Sequence, residues 1–326
     1  MPKKDDYPDE SKMNRGAKLA AKNEVEWLEV PVFLHGISPD KFPGGGSAEY
    51  LQLLKLIKEK LKKYPEKKLS GQPIFVTWGV PTRPASSGTD QYLAQVERSM
   101  QAKVKEKMGG SYSSPFGLSG FIRDLLFFGV ADLFYYLSAD GEKDLRKHVF
   151  NHIARSIQIM DKENTANISL TIFAHSAGSV IAHDMLYHFF SSKDDHPSEE
   201  GVVEKEMDAI RKIVKDGRLR IRRLYTFGSP ISLLVLRASG MIHKFRKGGL
   251  FAPQDIGLMM GDNLSTPRWV NFWSRHDMAS YPVDFLYSNE KGLIEDHEIS
   301  TSVNPKTAHT GYWSSSEMAE YVAETF

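Results

Sequence analysis

The sequence predicts an α/β fold built on a doubly wound, mostly parallel sheet. Short apolar runs typical of buried strands recur along the chain, and amphipathic segments with helical spacing separate them. Strands that alternate with helices favour βαβ units, whose strands are parallel. The 326 residues include 41% hydrophobic residues, which is enough for a large core.

Six short segments are predicted to be strands, and three segments between or after them are predicted to be helices. The strands are residues 30–34, 73–78, 168–173, 220–227, 268–273 and 293–299. The first two helices have apolar residues at helical spacing: Tyr50, Leu54, Ile57, Leu61 and Tyr64, then Leu145, Val149, Ile153, Ile157 and Met160. A capping box of Ser314 and Glu317 predicts the start of a last helix.

The alternation defines one domain with a tail and an insertion. Residues 1–24 have few large apolar side chains to offset the entropy of ordering, so we predict a mobile tail before a domain over 25–326. Residues 79–137 and 237–267 break the alternation and are candidates for a cap or lid. Within the first of these, the strongly apolar residues 116–137 are either a helical lid or a helix of the core.

Composition excludes several classes of protein. Lys and Arg number 42 against 41 Asp and Glu, which argues against a nucleic-acid partner. There is no cysteine, and therefore no disulfide, thiolate nucleophile or cysteine metal site. No signal peptide is visible, and the longest apolar stretch, 121–137, is too short and too charged to span a bilayer. We therefore expect a soluble, cytoplasmic protein, and its oligomeric state stays open.

The sharpest chemical signal is the segment Phe173-Ala-His-Ser-Ala-Gly178. A predicted strand ends there, Ser176 has small residues within two positions on either side, and a helix begins at once. Such a tight turn exposes the serine oxygen and directs N–H groups of the first helical turn at a reacting carbonyl. Ala174 replaces the first glycine of the usual G-x-S-x-G pattern. The alternative is an incidental turn of small residues.

A nucleophilic serine needs a base, and the base needs a carboxylate that orients it. On a doubly wound sheet these partners should follow the serine in the order acid, then histidine, each after a strand. Asp277 follows the predicted strand 268–273, and His309 lies in a predicted loop before the last helix. We therefore predict Ser176, Asp277 and His309 as catalytic residues. The alternatives are Asp284 and Asp296 for the acid, and His276 and His297 for the base.

These motifs together resemble the α/β-hydrolase superfamily, particularly its serine esterases and lipases. The resemblance runs from about residue 25 to residue 326 and rests on five features: Leu34-His-Gly-Ile37, the Ser176 turn, Tyr225-Thr-Phe-Gly-Ser-Pro230, Asp277 and His309. It implies that backbone N–H groups of Ile37 and Ala177 form an oxyanion hole. It also implies that Gly228 and Pro230 shape the pocket wall and that the lid lies within 79–137.

The resulting hypothesis is a serine hydrolase for small-molecule carboxylic esters, with an apolar acyl chain if the insertion is a lid. A thioesterase or amidase could use the same triad, and an interaction protein could use the same fold without catalysis. We predict no cofactor and no metal site: His148 and His152 lack a carboxylate motif, and His297 and Glu298 point to opposite faces of a strand. The basic run from Arg218 to Arg223 is interpreted as a solvated edge of the sheet.

Overall fold

The structure is a computed structural model that describes most of the predicted domain. The described residues are 26–36, 47–78, 147–190, 204–235, 251–259, 267–289 and 292–326, apart from 68, 70, 162 and 164. The predicted tail (1–24) and the predicted lid segment (79–137) lie outside them. Within the described ranges, no helix has the length and apolar character needed to cross a membrane.

Six strands form one parallel sheet in the order β2-β1-β3-β4-β5-β6, which confirms the predicted α/β class. The strands are β1 (Trp27–Leu34), β2 (Ile74–Val76), β3 (Asn167–His175), β4 (Leu219–Phe227), β5 (Trp269–Trp273) and β6 (Ile294–Glu298). The helices among the described residues are α1 (Ser47–Leu61), α2 (Lys147–Met160), α3 (Ala177–Phe190), α4 (Glu204–Lys215), α5 (Ile231–Val235), α6 (Pro305–Thr310) and α7 (Ser316–Thr325). Short 3₁₀ helices cover Pro253–Ile256, Asp284–Leu286 and Gly311–Ser314.

The sheet buries apolar side chains on both faces, because successive residues of a strand point to opposite sides. One row across the sheet is aromatic: Phe33 stacks on Phe173 at 4.8 Å between ring centroids, and Phe173 stacks on Tyr225 at 5.2 Å. This face packs against α1 and α7. The adjacent row points the other way and packs against α2, α3 and α4. Helices therefore cover both faces, as a doubly wound sheet requires.

The strand order places a topological switch point between β1 and β3. From β1 the chain adds β2 on one side, and from β3 onward it adds the other strands on the opposite side. Connections that leave neighbouring strands in opposite directions open a crevice above their carboxyl ends, where ligands bind in open α/β sheets. Gly36 follows β1 and Ser176 follows β3, so both lie at this crevice.

Local predictions at the C-terminal end of the chain are corrected. The segment around His309 is the short helix α6 rather than a loop. The last helix is capped by Ser315, whose Oγ accepts the N–H of Met318 at 3.1 Å, and not by Ser314. The reason is that the chain stays helical through the 3₁₀ turn ending at Ser314, so the extended backbone needed for an N-cap first occurs one residue later.

Two interpretations of longer segments are also corrected. Residues 251–259, part of a candidate lid segment, include the buried side chains of Phe251, Ile256 and Leu258, so this part belongs to the core.

The basic run from Arg218 to Arg223 is not simply a solvated edge, because Arg223 is only 1% exposed. Its guanidinium donates to the carbonyl of Thr325 at the end of α7, at 2.9 Å from Nε and 2.6 Å from Nη2.

Candidate active site

Ser176 occupies a strained turn between β3 and α3. Its φ is 52°, and among the described non-glycine residues it alone has a positive φ. The left-handed region disfavours L-residues, and such strain persists only where the surrounding structure imposes it. Here the Ser176 N–H donates to the carbonyl of Phe227 at 3.0 Å, which continues the β3–β4 ladder, while its carbonyl already accepts the Ser179 N–H at 2.9 Å. The chain thus changes from strand to helix at one residue.

The tight turn requires glycine at two neighbouring positions. A Cβ atom added at Gly178 would clash with the carbonyl oxygen of His35, so the first turn of α3 packs directly on the backbone at the end of β1. A Cβ atom added at Gly36 would lie 2.6 Å from the Cβ of Ser176. Both glycines therefore allow the β1 and β3 ends to approach closely at the switch point.

His309 lies between Ser176 and Asp277. Its Nε2 is 2.9 Å from Ser176 Oγ, and its Nδ1 is 2.9 Å and 3.0 Å from the two carboxylate oxygens of Asp277. Because a carboxylate only accepts hydrogen bonds, the proton of the neutral ring is on Nδ1 and the Nε2 lone pair faces the serine hydroxyl. All three side chains are buried. The structure therefore brings together the three residues predicted from sequence, in an order suited to proton transfer.

Asp277 is held as an ionised acceptor. Burial by itself raises the pKa of this carboxyl group, but hydrogen bonding to His309, the His309 charge and the backbone N–H of Ala279 outweigh it and lower the pKa below its usual range. The Ala279 N–H donates to Oδ1 at 3.0 Å. An ionised Asp277 can orient the imidazole and balance the positive charge that His309 acquires on taking a proton.

Tyr312 is a member of the site that sequence reasoning missed. Its hydroxyl donates to Asp277 Oδ2 at 3.0 Å, and the side chain is fully buried. Burial and the charge of Asp277 raise the pKa of Tyr312, so its hydroxyl stays protonated. The only sequence signal was its spacing of three residues from His309, which places two side chains on one side of a helical turn.

Two buried histidines surround the triad without joining it. His175 Nε2 donates to the carbonyl of His309 at 2.7 Å, and burial lowers the pKa of His175 to about 3. His35 stacks on Trp78 and accepts its backbone N–H at 3.3 Å through Nε2, and burial lowers the pKa of His35 to about 4. Both rings are therefore neutral hydrogen-bonding groups at neutral pH.

The hydroxyl groups of Ser179 and Ser229 stabilise the turn at Ser176. Ser179 Oγ donates to the carbonyl of Ser176 at 2.5 Å and is 2.8 Å from Ser229 Oγ. Ser229 lies in the turn after β4, next to Gly228, whose φ is 59°. A Cβ atom at Gly228 would lie 3.2 Å from Asp277 Oδ2, so glycine lets this turn pass close to the carboxylate. The Gly228-Ser229-Pro230 turn thus contacts Ser179, which bonds to Ser176, and passes close to Asp277.

The alternative acids and bases lie elsewhere. Asp284 and His276 are exposed. Asp296 accepts the backbone N–H groups of Val283 and Asp284 at 2.9 Å each and so holds the loop that follows Asp277. Burial raises the pKa of Asp296 to about 6. His297 pairs with Glu295 at 3.1 Å. Among these candidates, only His309 contacts Ser176, and only Asp277 contacts His309.

The donors of the implied oxyanion hole are described in part. Ala177 is the first residue of α3, so its N–H has no acceptor within the helix and is available to a ligand at this turn. Ile37 lies outside the described residues. No group of three or more His, Asp or Glu side chains that could hold a metal ion occurs in the described part of the chain.

Comparisons with known proteins do not assign a family. No family model and no curated protein matches the sequence. One solved structure that matches is described as an uncharacterized protein from Pseudomonas aeruginosa, with 11% identity over 96% of this chain and 50% of that chain. This chain spans about half the length of that protein, and the TM-score of 0.31 is too low to establish a common fold.

Proposed function

We propose that the protein is a serine hydrolase of the α/β-hydrolase type that cleaves carboxylic esters through an acyl-enzyme. The observation that carries the proposal is the continuous series of contacts from Ser176 Oγ through His309 to Asp277, each at hydrogen-bond distance. The position of Ser176 at the topological switch point supports it as well, because substrates of open α/β enzymes bind there.

In the proposed first half-reaction, His309 Nε2 takes the hydroxyl proton of Ser176 as Oγ attacks the ester carbonyl. The carbonyl π electrons move to the oxygen, and the N–H groups of Ala177 and Ile37 stabilise the resulting oxyanion. Collapse breaks the bond to the alkoxy group, which leaves as the alcohol with the proton that His309 returns. Asp277 stabilises the imidazolium between these two transfers.

In the second half-reaction, water repeats the sequence on the acyl-enzyme. His309 removes a proton from the water, the hydroxide oxygen adds to the acyl carbon, and collapse releases the carboxylic acid while Ser176 regains its proton. Each preorganised oxyanion donor contributes about 3–4 kcal/mol to transition-state stabilisation in enzymes of this type. The lid proposed within 79–137 would supply the acyl pocket.

Substitution of Ser176 tests the proposal. We expect Ser176→Ala to lower kcat/KM for a short-chain p-nitrophenyl ester by at least about 10³-fold, because the nucleophile is lost while oxyanion donors remain. A fluorophosphonate probe should label the wild type and fail to label this variant. Ser156→Ala is the matched control, since Ser156 Oγ donates to the His152 carbonyl on α2, away from the site. Absence of labelling in the wild type would favour a protein that uses this fold without catalysis.

The leaving group requires a separate comparison, because the triad accepts esters, thioesters and amides alike. The same acyl group presented as an oxyester, a thioester and an anilide should be turned over fastest as the oxyester. A higher kcat/KM for the thioester, lost equally in Ser176→Ala, would keep the catalytic residues and change the substrate class.

A further inference from the structure

The short helical segment at the end of the chain delivers two side chains to one carboxylate. His309 lies in the last turn of α6, and Tyr312 lies in the following 3₁₀ turn, three residues later. His309 Nδ1 lies 2.9 Å from Oδ1 and 3.0 Å from Oδ2 of Asp277, and the Tyr312 hydroxyl lies 3.0 Å from Oδ2. The base and the tyrosine therefore share an acceptor and move with one segment of backbone.

The two carboxylate oxygens of Asp277 accept hydrogen bonds from different parts of the chain. Oδ1 accepts the Ala279 N–H, which comes from the acid's own loop, and Oδ2 accepts the Tyr312 hydroxyl, which comes from the segment of the base. A carboxylate has about four acceptor positions, so His309 can bond between these two donors. With a donor on each side, the plane of the carboxylate is fixed relative to the imidazole.

The Tyr312 hydroxyl faces one carboxylate and two serines. The groups around it are Asp277, Ser274 and Ser280 from the loop after β5, the rings of His175 at 6.1 Å and Phe227 at 6.0 Å, and His309 on its own segment. Asp277 is the one anion among these neighbours, and His175 is neutral. Asp277 is therefore the charged acceptor of the Tyr312 hydroxyl, and Ser274 and Ser280 lie beside it.

We propose that Tyr312 is a positioning residue, which holds the Asp277 carboxylate in the plane of His309 and limits how strongly that carboxylate attracts the imidazole proton. The inference rests on the proposed function, because it assigns Tyr312 a role in the same reaction. It goes beyond the triad by giving the carboxylate a second partner that neither binds substrate nor exchanges a proton.

The proposal predicts two separate consequences for loss of the hydroxyl. Without Tyr312 as donor, more negative charge remains on Oδ2, the imidazolium form of His309 is stabilised, and the acidic limb of the pH profile moves to higher pH. The carboxylate also becomes free to rotate, so His309 spends less time aligned with Ser176. This second effect should lower kcat and leave KM unchanged, because the Tyr312 side chain is fully buried and has no surface for substrate to contact.

Tyr312→Phe is the test, since it removes one oxygen and keeps the ring that packs on His175 and Phe227. We expect a fall in kcat of about 10-fold or more, the size of one hydrogen bond to a charged group, with KM within about twofold. The acidic limb of kcat/KM should shift upward by about half a pH unit. The proton resonance of the His309 Nδ1–H group, read in the resting protein, should shift as well.

Tyr225→Phe is the matched control. Its buried hydroxyl is 3.0 Å from Thr325 Oγ1, so the substitution also removes a buried hydroxyl from the core but contacts no member of the triad. We expect it to lower the thermal stability while leaving kcat, the pH profile and the His309 resonance as in the wild type.

The outcomes separate this inference from the proposed function. If Tyr312→Phe matches Tyr225→Phe in kcat, pH profile and resonance, Tyr312 is only structural and the inference is overturned. The fluorophosphonate result for Ser176 then still decides whether the protein is a hydrolase. If the wild type is not labelled, the proposed function fails, but the His309 resonance still reports whether Tyr312 controls the Asp277–His309 contact.

Discussion

The amino ends and the carboxyl ends of the parallel strands, here called the amino edge and the carboxyl edge of the sheet, use buried polar side chains in different ways. At the amino edge, the guanidinium groups of Arg222, Arg223 and Arg268 donate mainly to backbone carbonyls, those of Phe326, Thr325 and Arg222. At the carboxyl edge, the groups of Ser176, His309 and Asp277 contact one another. The first set joins side chains mainly to backbone, whereas the second joins side chains from the turn after β3, the loop after β5 and the helix α6.

This difference separates stability from chemistry. A guanidinium stays charged at any accessible pH, and a carbonyl accepts in one fixed direction, so the amino edge has a single hydrogen-bonded state. An imidazole between a hydroxyl and a carboxylate can take up a proton on one nitrogen while the other nitrogen donates to the carboxylate. In the proposed reaction the carboxyl edge would move protons, whereas the guanidinium groups of the amino edge hold the end of the chain after α7 against the sheet.

The largest loss of activity is expected when Asp277 at the carboxyl edge is replaced. Asp277→Asn should lower kcat/KM by about 10⁴-fold, because an amide can donate to His309 and stabilise the tautomer whose Nε2 carries the proton. The measurement is ester turnover by a variant whose fold is checked by circular dichroism. Asp284→Asn is the control, because Asp284 is exposed and its substitution should change kcat/KM by less than about twofold. A comparable loss in the control would mean that the wrong acid has been assigned.

A smaller effect is expected from breaking the amino edge. Arg223→Met keeps most of the volume but removes the donors to the carbonyls of Thr325 and Arg222. Leaving buried acceptors unpaired should lower the free energy of unfolding by about 3 kcal/mol, measured by urea denaturation. kcat/KM per folded molecule should stay within about twofold of wild type. A large loss of activity with unchanged stability would show that the two edges do not divide the work in this way.

The sequence predicted the sheet and the meeting of three side chains because both depend on local or topological rules. The apolar runs, with their flanking turns, indicate strands, and the small residues around Ser176 indicate a turn that few other residues permit. The order of Ser176, Asp277 and His309 along the chain follows from parallel strands that end at one edge. Their catalytic role stays a prediction, as does the lid within 79–137.

The sequence could not predict features that depend on long-range packing or on a one-residue register. The contact of Tyr312 with Asp277 requires the chain to remain helical after His309, and the same continuation moved the cap from Ser314 to Ser315. The burial of Arg223 depends on where α7 docks, which charge and hydropathy at residues 218–223 do not reveal. Propensity arguments consider one residue at a time, whereas the positions of Tyr312 and Arg223 depend on the distant groups that they contact.

The buried histidines should make the free energy of unfolding depend on pH. Burial lowers the pKa of His35 and His183 to about 4 and that of His175 to about 3. Between pH 6.5 and 4 the unfolded chain therefore binds three protons that the folded protein does not, so stability is lost as the pH falls. Asp296 acts oppositely, because burial raises its pKa to about 6 and the folded protein binds its proton first. For these four groups the difference near pH 5 is about two protons, so the free energy of unfolding changes by about 3 kcal/mol per pH unit.

His183→Gln isolates one of these protons. His183 lies on α3 and contacts the Tyr287 hydroxyl rather than the triad, so the substitution should leave kcat/KM unchanged. It should reduce the slope of unfolding free energy against pH by about 1 kcal/mol per pH unit, measured by urea denaturation at pH 4.5, 5.5 and 6.5. Arg223→Met should leave that slope as it is, since arginine does not titrate there. If both variants change the slope equally, acid acts on the whole molecule and not on the buried histidines.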